Sequence, residues 1–214
     1  MTSIPEKNDL TKIIASTFNF RDCILLGRAT SCFYSIFSSF FQKGDNVIFP
    51  AILCPQPLLA AKLAGLNPIV IDVNQNNGLI NLSELETLLS KNINVRCVVL
   101  VELFGQKIDN WSEILNLKKK FKFKIIRDCA QSLPLKKIRC DFTILSFGHT
   151  KIIDCDHGGA ILIDNKNYKE ILRRNSDNLN PFNKNKYKFF IKNYRKQFYK
   201  IKNKPRLNHN EKVT

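Results

Sequence analysis

The feature that most constrains the fold of this chain is the alternation of short apolar runs with segments of helical periodicity. Val95–Val101 is apolar except for Arg96, which predicts a strand buried on both faces. Strands that alternate with helices predict an α/β layer fold with a mainly parallel sheet. Further strands are predicted at 47–49, 69–73, 123–127, 141–147 and Gly159–Ile163. Helices are predicted at 8–17, 30–41 and 55–65, from an N-cap at Ser83 to Leu89, at Trp111–Phe121 and from 168 onwards.

Length and composition indicate one domain with a sizeable core, since the 214 residues are 44% hydrophobic. The sequence has neither an apolar run long enough to cross a membrane nor a signal peptide, so we expect a cytoplasmic protein. Its seven cysteines form no CxxC pair and lie mostly in apolar runs, which predicts buried, reduced thiols. We expect no metal site, because His149, His157 and His209 show no ligand spacing with these cysteines.

The pattern changes beyond Asp177, which divides the chain into a cofactor domain at 1–177 and a basic tail at 178–214. Ten of the basic residues lie within 181–206, in a chain of net charge +16. This charge reflects either AT-rich codon usage or a functional basic surface. Apolar residues recur in the tail at helical spacing, so it is interpreted as an amphipathic helix. We favour packing on its own domain over contact with an anionic membrane or nucleic acid.

Two reactive side chains follow strands of the predicted sheet. Asp128 comes after the run 123–127, and Lys151 comes after the run 141–147, with Gly158-Gly159 just beyond. A lysine amine forms a Schiff base with an aldehyde cofactor, and a carboxylate keeps a pyridine nitrogen protonated. Ligands of parallel sheets bind at the carboxyl ends of the strands. The sequence therefore predicts a pyridoxal phosphate (PLP) site at this edge.

Six sequence blocks support this interpretation and follow one another in order. They are GRATS at 27–31, KGDNVIFP at 43–50, AGLNPIVIDV at 64–73, VELFGQ at 101–106, IRDCAQ at 126–131 and SFGHTK at 146–151, the last followed by Gly158-Gly159. In content and order they resemble the DegT/DnrJ/StrS family of PLP-dependent sugar aminotransferases, which have the aspartate-aminotransferase fold. One such block is a weak signal, whereas six in order are a strong one.

The resemblance implies a role for each matching residue. Lys151 would be the catalytic Schiff-base lysine, Asp128 would pair with the pyridinium nitrogen, and Gln131 would donate to the ring oxygen. Thr30 and Ser31 would hold the phosphate at a helix N-terminus, with a further hydroxyl from Ser146. The simpler alternative for Thr30 and Ser31 is N-capping of that helix.

Some positions depart from the family pattern. Cys54 stands near the position of an aromatic residue that usually stacks on the cofactor. Glu102 stands where His is usual, Arg127 where Glu is usual, and Asp156-His157 where Gly-Glu is common. Complete members have a second, C-terminal domain, so the resemblance also implies that about half of a full member is missing.

Three functions follow as expectations. The first is transfer of an amino group from glutamate to a keto group of a nucleotide-linked sugar, by a homodimer, for surface polysaccharide. The second is a truncated remnant that binds PLP without turnover. The third is a basic module in which residues 183–206 bind nucleic acid or an anionic membrane; we favour it least, because no nucleic-acid motif accompanies the lysines.

Overall fold

A computed structural model describes residues 7–91, 93–138 and 140–176 of the chain. These residues form seven strands and six helices, with a short 3-10 turn at Leu103–Gly105. Helices and strands alternate up to β5, whereas β6 and β7 follow without a helix between them. The strands are β1 (Asp22–Leu26), β2 (Asn46–Pro50), β3 (Asn67–Ile71), β4 (Val95–Val101), β5 (Lys124–Asp128), β6 (Phe142–Ser146) and β7 (Gly159–Ile163). The helices are α1 (Lys7–Thr17), α2 (Ala29–Phe40), α3 (Pro55–Leu63), α4 (Leu82–Ser90), α5 (Trp111–Phe121) and α6 (Lys166–Ser176).

The seven strands form a single sheet in the order β1-β7-β6-β5-β4-β2-β3. Only β7 runs antiparallel to its neighbours, β1 and β6, while all other described pairs are parallel. The prediction of a mainly parallel α/β sheet is therefore confirmed. Because β7 runs the opposite way, its first residue lies at the same edge as the last residues of β1, β4, β5 and β6.

The sheet is covered on both faces, and β4 contributes to the apolar core on each. Its residues Cys97, Val99 and Val101 pack in the cluster that includes side chains of α2, α3 and α6. The alternate residues Val98 and Leu100 pack with side chains of α4 and α5. Successive strand residues point to opposite faces, which explains why this strand is apolar at nearly every position.

Most predicted elements are present with bounds shifted by one or two residues, but the prediction of the N-cap of α4 was wrong. Asn81, rather than Ser83, is the N-cap: its side-chain oxygen accepts hydrogen bonds from the N–H groups of Ser83 and Glu84 at 3.1 and 3.3 Å. Asparagine and serine are both good N-cap residues, so the residue types alone could not show which of the two positions caps the helix.

The cysteine prediction was correct for four of the seven positions. Cys23, Cys32, Cys97 and Cys129 are buried, whereas Cys54 and Cys155 are exposed and Cys140 is intermediate; all seven are free thiols. No helix in the described part of the chain is long and apolar enough to cross a membrane. The basic tail at 178–214 lies outside the described residues.

Candidate functional site

The predicted site residues meet at the edge of the sheet where the parallel strands end. Asp128 is the last residue of β5 and Ser146 the last of β6. In the sheet register, Ser146 is paired with Gly159, and Gly159 is paired with Leu26 at the end of β1. Helix α2 begins three residues after Leu26, so Thr30 and Ser31 lie at this edge too.

A cavity of about 300 Å³ at this edge contains both Lys151 and Gln131 in its wall. Its other described lining residues are Phe104, Ala130, Thr150 and Ile152. Lys151 comes from the loop between β6 and β7, and Gln131 from the turn after β5. The fold therefore brings together two of the residues singled out in the sequence, 20 positions apart in the chain.

Asp128 lies next to this cavity and is only 4% exposed. Its Oδ1 accepts a hydrogen bond of 2.8 Å from the N–H of Ala130, the only hydrogen bond of this carboxylate within the described residues. Burial raises the pKa of Asp128 from 3.8 to about 6, against the opposing effects of the Ala130 bond and of the positive charge on Lys151. A buried carboxylate with so few partners is well suited to a cationic ligand.

The three hydroxyls predicted to hold a phosphate lie around the start of α2. Thr30 and Ser31 are in its first turn, where backbone N–H groups and the helix dipole favour an anion. The N-cap is Arg28, so N-capping by Thr30 or Ser31 is not observed. Within the described part of the chain, neither they nor Ser146 donate or accept a side-chain hydrogen bond. None of the three belongs to the described wall of the cavity.

The contacts at Gly159 explain why a glycine pair stands at the start of β7. A Cβ atom at this position would lie 2.4 Å from the nitrogen of Ala29 and 2.5 Å from the carbonyl carbon of Arg28. Gly158 donates its N–H to the carbonyl of Gly27 at 3.0 Å. The pair thus lets the start of β7 approach the first turn of α2, and this contact places the helix N-terminus near the end of β6.

The loop that carries Lys151 is held by Asp154. Its two carboxylate oxygens accept the N–H groups of Thr150 at 3.1 Å and Asp156 at 2.8 Å. These bonds lower the pKa of Asp154. Thr150 and Asp156 adopt left-handed conformations, with φ of 73° and 64°. Asp156 stands where the family pattern has glycine, which explains that preference, because glycine adopts positive φ most easily.

His149 lies 3.2 Å from the same Asp154 carboxylate. Ligand atoms of His149, Asp154 and Asp156 all lie within 4.8 Å of one another, and all three side chains are exposed. The hydrogen bonds of Asp154 to the loop backbone account for its position, and the expectation of no metal site stays a prediction.

Phe104 is a cavity residue to which the sequence analysis assigned no role. It is 82% exposed and has a φ of 50°. Its N–H donates to the side-chain oxygen of Gln131 at 3.2 Å, and the N–H of Gly105 donates to the Gln131 carbonyl at 3.1 Å. Its place in the VELFGQ block was the available signal.

Cys54, by contrast, lies at the N-cap of α3 and outside the described cavity wall.

Two departures from the family pattern contact each other in the structure. Glu102 and Arg127 form a buried ion pair, with Oε1 of Glu102 2.6 Å from Nη2 and 2.8 Å from Nε of Arg127. The two side chains are 0% and 1% exposed. The two residues are 25 positions apart in the sequence, and only the pairing of β4 with β5 brings them together.

A larger cavity of about 440 Å³ lies at the opposite edge of the sheet. Arg96, Lys118, Lys119, Lys122 and Lys124 contribute its cations, beside phenylalanine side chains and Asp141. It contains none of the residues predicted for the site. We therefore locate the candidate site at the smaller cavity, where the reactive groups are.

The groups at the carboxyl edge fit a cofactor with an aldehyde, a ring nitrogen and a phosphate. They provide an amine, a buried carboxylate beside it, an amide, and hydroxyls that make no side-chain hydrogen bond within the described residues, around a helix N-terminus. Each is the type of group that such a cofactor requires.

The comparisons with known proteins agree with this donor set. Residues 2–195 match the model of the DegT/DnrJ/EryC1/StrS aminotransferase family. The chain is 25% identical over 173 residues to a UDP-4-amino-4,6-dideoxy-N-acetyl-beta-L-altrosamine transaminase of Campylobacter jejuni, covering 78% of this chain and 46% of that protein. It is 26% identical over 169 residues to the 3-oxo-glucose-6-phosphate:glutamate aminotransferase of Bacillus subtilis, and this match covers 77% of this chain and 38% of that protein.

The crystal structure of NtdA from Bacillus subtilis, with its bound cofactor PMP, has a similar fold. The TM-score is 0.71 at 25% identity, and the match covers 81% of this chain and 40% of that one. The chain thus spans less than half the length of these proteins.

Proposed function

This chain belongs to the DegT/DnrJ/EryC1/StrS aminotransferase family, and on that premise we propose that it transfers an amino group from glutamate to a keto group of a nucleotide-linked sugar. The observation that carries the proposal is the cavity shared by Lys151 and Gln131 beside the buried carboxylate of Asp128. The aminated sugar would serve the synthesis of surface polysaccharide.

Aminotransferases of this family use PLP. In our proposal Lys151 holds the cofactor covalently through Nζ, and Asp128 lies at its ring nitrogen. Gln131 donates to the ring oxygen, while Thr30, Ser31 and Ser146 hold the phosphate at the start of α2. Bound there, the cofactor supplies an electron sink that stabilises negative charge on the substrate carbon next to nitrogen.

The protein side chains would then manage protons and charge. When the amine of Lys151 is free, its Nζ is a base that can take a proton from one carbon and return it to another. Asp128 is ionised above a pH of about 6, and in that form it favours a protonated ring nitrogen. Preorganised charge of this kind, in a site removed from water, is a major source of catalysis.

The names of the relatives support the substrate class. The Campylobacter jejuni protein is named as a transaminase of a UDP-linked sugar, and the Bacillus subtilis protein is named for glutamate and a sugar phosphate. A panel of keto sugars should therefore contain both nucleotide-linked and phosphorylated members. Turnover of a sugar phosphate alone would correct the proposed substrate class while leaving the aminotransferase intact.

A second candidate is a chain that binds PLP without turnover. The matched region covers less than half the length of the relatives, and substrate orientation and exclusion of water can depend on the parts of an aminotransferase outside that region. A steady-state assay with glutamate and the keto-sugar panel separates the two. Rates on the order of 1 to 10³ per second would establish an ordinary enzyme, and PLP binding with no turnover would favour the second candidate.

The homodimer and the cytoplasmic location are further parts of the proposal. Phe104 and Ile152, at the cavity, are 82% and 58% exposed. Large apolar side chains so exposed around a binding site favour contact with another protein surface, and a second copy of this chain is the partner that we propose.

Borohydride reduction followed by peptide mapping tests the proposal. The wild-type protein with PLP should carry a pyridoxyl group on Lys151, and Lys151→Arg should remove both the label and the absorbance of the covalently bound cofactor. Lys107→Arg, at an exposed lysine outside the described cavity wall, is the matched control and should change neither. Label on another lysine, or none on folded protein, would remove Lys151 from the proposed site.

A further inference from the structure

The buried carboxylate of Glu102 has more hydrogen-bond donors than a salt bridge requires. Oε1 accepts from Nε and Nη2 of Arg127, as described above. Oε2 accepts from the hydroxyl of Ser132 at 2.7 Å and from the thiol of Cys129 at 3.7 Å. Four donors from three residues therefore converge on one side chain that is 0% exposed.

Two of these donors belong to the turn that follows β5. Ser132 also donates its N–H to the carbonyl of Cys129 at 3.2 Å, so a backbone hydrogen bond closes the turn that contacts Glu102. The backbone N–H of Glu102 donates to the carbonyl of Asp128 at 3.0 Å. Glu102 thus joins the end of β4 to both the beginning and the end of the segment 128–132.

That segment carries the groups that face the candidate site. The N–H of Ala130 is the hydrogen-bond donor to Asp128, and Gln131 lies in the cavity wall. Gln131 also holds the backbone of Phe104. A change in the conformation of this turn would therefore move the carboxylate, the amide and the aromatic ring together.

Arg127 makes a full negative charge on Glu102 possible in this interior position. A buried carboxylate without a cation is strongly disfavoured. The guanidinium is fixed in turn by a hydrogen bond of 3.0 Å from Nη1 to the carbonyl of Lys136, and it lies 5.7 Å from the centre of the Trp111 ring. An ionised carboxylate accepts stronger hydrogen bonds than a neutral group, and the Ser132 bond benefits from this.

We propose that Glu102 is a positioning residue, which holds the turn 128–132 through Ser132 and Cys129 and so fixes Asp128 and Gln131 at the candidate site. The role of the fixed groups as cofactor ligands rests on the proposed function. The holding of the turn itself does not, since it concerns contacts within the protein.

The variant Ser132→Ala tests the inference without disturbing the ion pair. It removes the hydroxyl donor to Glu102 and leaves Glu102 and Arg127 paired. Ser35→Ala is the matched control, because Ser35 is also a buried serine, lies in α2 and donates no side-chain hydrogen bond among the described residues. The first readout is the ¹³C carboxyl titration of Asp128 in cofactor-free protein, assigned by its loss in Asp128→Asn. The second is the dissociation constant of PLP.

A looser turn would weaken the Ala130 hydrogen bond, so Ser132→Ala should raise the pKa of Asp128, by about half a unit or more. It should also weaken PLP binding on the order of tenfold, the size seen when residues that orient metal ligands are removed. Ser35→Ala should change neither quantity. If Ser132→Ala leaves both unchanged, or if both variants have equal effects, the inference is wrong.

Glu102→Gln should move the same pKa in the opposite direction. The charged groups acting on Asp128 are Lys151, from the loop after β6, and Glu102, from the end of β4. Glutamine keeps an oxygen that can accept the Ser132 hydroxyl but carries no charge, so the main effect of the substitution is to remove the charge that raises the pKa of Asp128. A loss of packing around Asp128 would instead shift the pKa in one direction for both variants. If Glu102→Gln fails to fold, Ser132→Ala decides alone. If wild-type protein does not bind PLP, the proposed function fails, while the Asp128 titration still tests the turn.

Discussion

Replacing Asp128 by asparagine should remove a pH-dependent loss of stability from the cofactor-free protein, although it damages the proposed site. Asp128 is 4% exposed, and burial raises its pKa from 3.8 to about 6. Between these two pH values the folded protein binds more protons at this position than the unfolded chain does. The contribution of Asp128 to stability is therefore fully present below pH 3.8 and is lost as the pH rises through about 6.

The size of the effect follows from the shift of about two pKa units. Each unit corresponds to about 1.4 kcal/mol, so ionisation of Asp128 costs the folded state about 3 kcal/mol above pH 7. Asparagine has nearly the same shape, and its oxygen can still accept the N–H of Ala130, but it does not ionise. The new amide N–H₂ group has its own cost, which is the same at every pH.

The assay is urea unfolding of both proteins, without PLP, at several pH values from about 4 to about 8. The difference in free energy of unfolding between Asp128→Asn and wild type should grow in favour of the variant by about 2.5 kcal/mol across this range, because Asp128 of the unfolded chain is already partly ionised at about pH 4. The quantity compared is how the difference between the two free energies of unfolding changes with pH, so the pH-independent cost of the amide cancels. A difference that stays constant with pH, or that grows in favour of wild type, would refute the argument.

PLP should act in the opposite direction and favour wild type over the variant. A protonated ring nitrogen beside an ionised Asp128 offsets the cost of the buried charge, so PLP should stabilise wild type more than Asp128→Asn at about pH 8. The half-reaction with an amine donor should be slower in the variant by orders of magnitude, while the circular dichroism spectrum remains near that of wild type. An unchanged half-reaction rate would remove Asp128 from the proposed site.

Two other predictions concern packing and assembly. Gly159→Ala should destabilise the protein by about 3 kcal/mol or more in urea unfolding, because the new Cβ would lie 2.4 Å from the nitrogen of Ala29. Gly148→Ala is the control and should be nearly neutral, because its Cβ would lie 3.7 Å from the hydroxyl of Ser146. Sedimentation should find a dimer, and a stable monomer that still binds PLP would contradict the proposed assembly.

The fold could be predicted from the sequence because its strongest signals are local. The bounds of β4 and α5 were predicted as observed, since a strand apolar on both faces and a helix with a regular apolar stripe each have a distinct period. The choice between Asn81 and Ser83 as a cap was not predictable in the same way. It depends on which side chain reaches the free N–H groups, and both residue types are suited to the position.

Asp128 and Lys151 could be proposed from the sequence because each follows a predicted strand, and parallel strands end at one edge. Gln131 was proposed from the family resemblance, and all three residues lie in or next to one cavity. The part played by Phe104 was not identified. Its exposure and its backbone conformation depend on hydrogen bonds to Gln131, 27 residues away, and composition does not report such a contact.

The sequence by itself determined which chemical groups this protein carries and the order of elements that delivers them to one edge, because periodicity and motif spacing are properties of neighbouring residues. Only the tertiary structure decided which of these groups meet. Glu102 and Arg127 look like two unrelated departures in the sequence, and the register of β4 against β5 makes them one buried ion pair. The raised pKa of Asp128 likewise results from burial, a property that exists only after the sheet and its helices have packed.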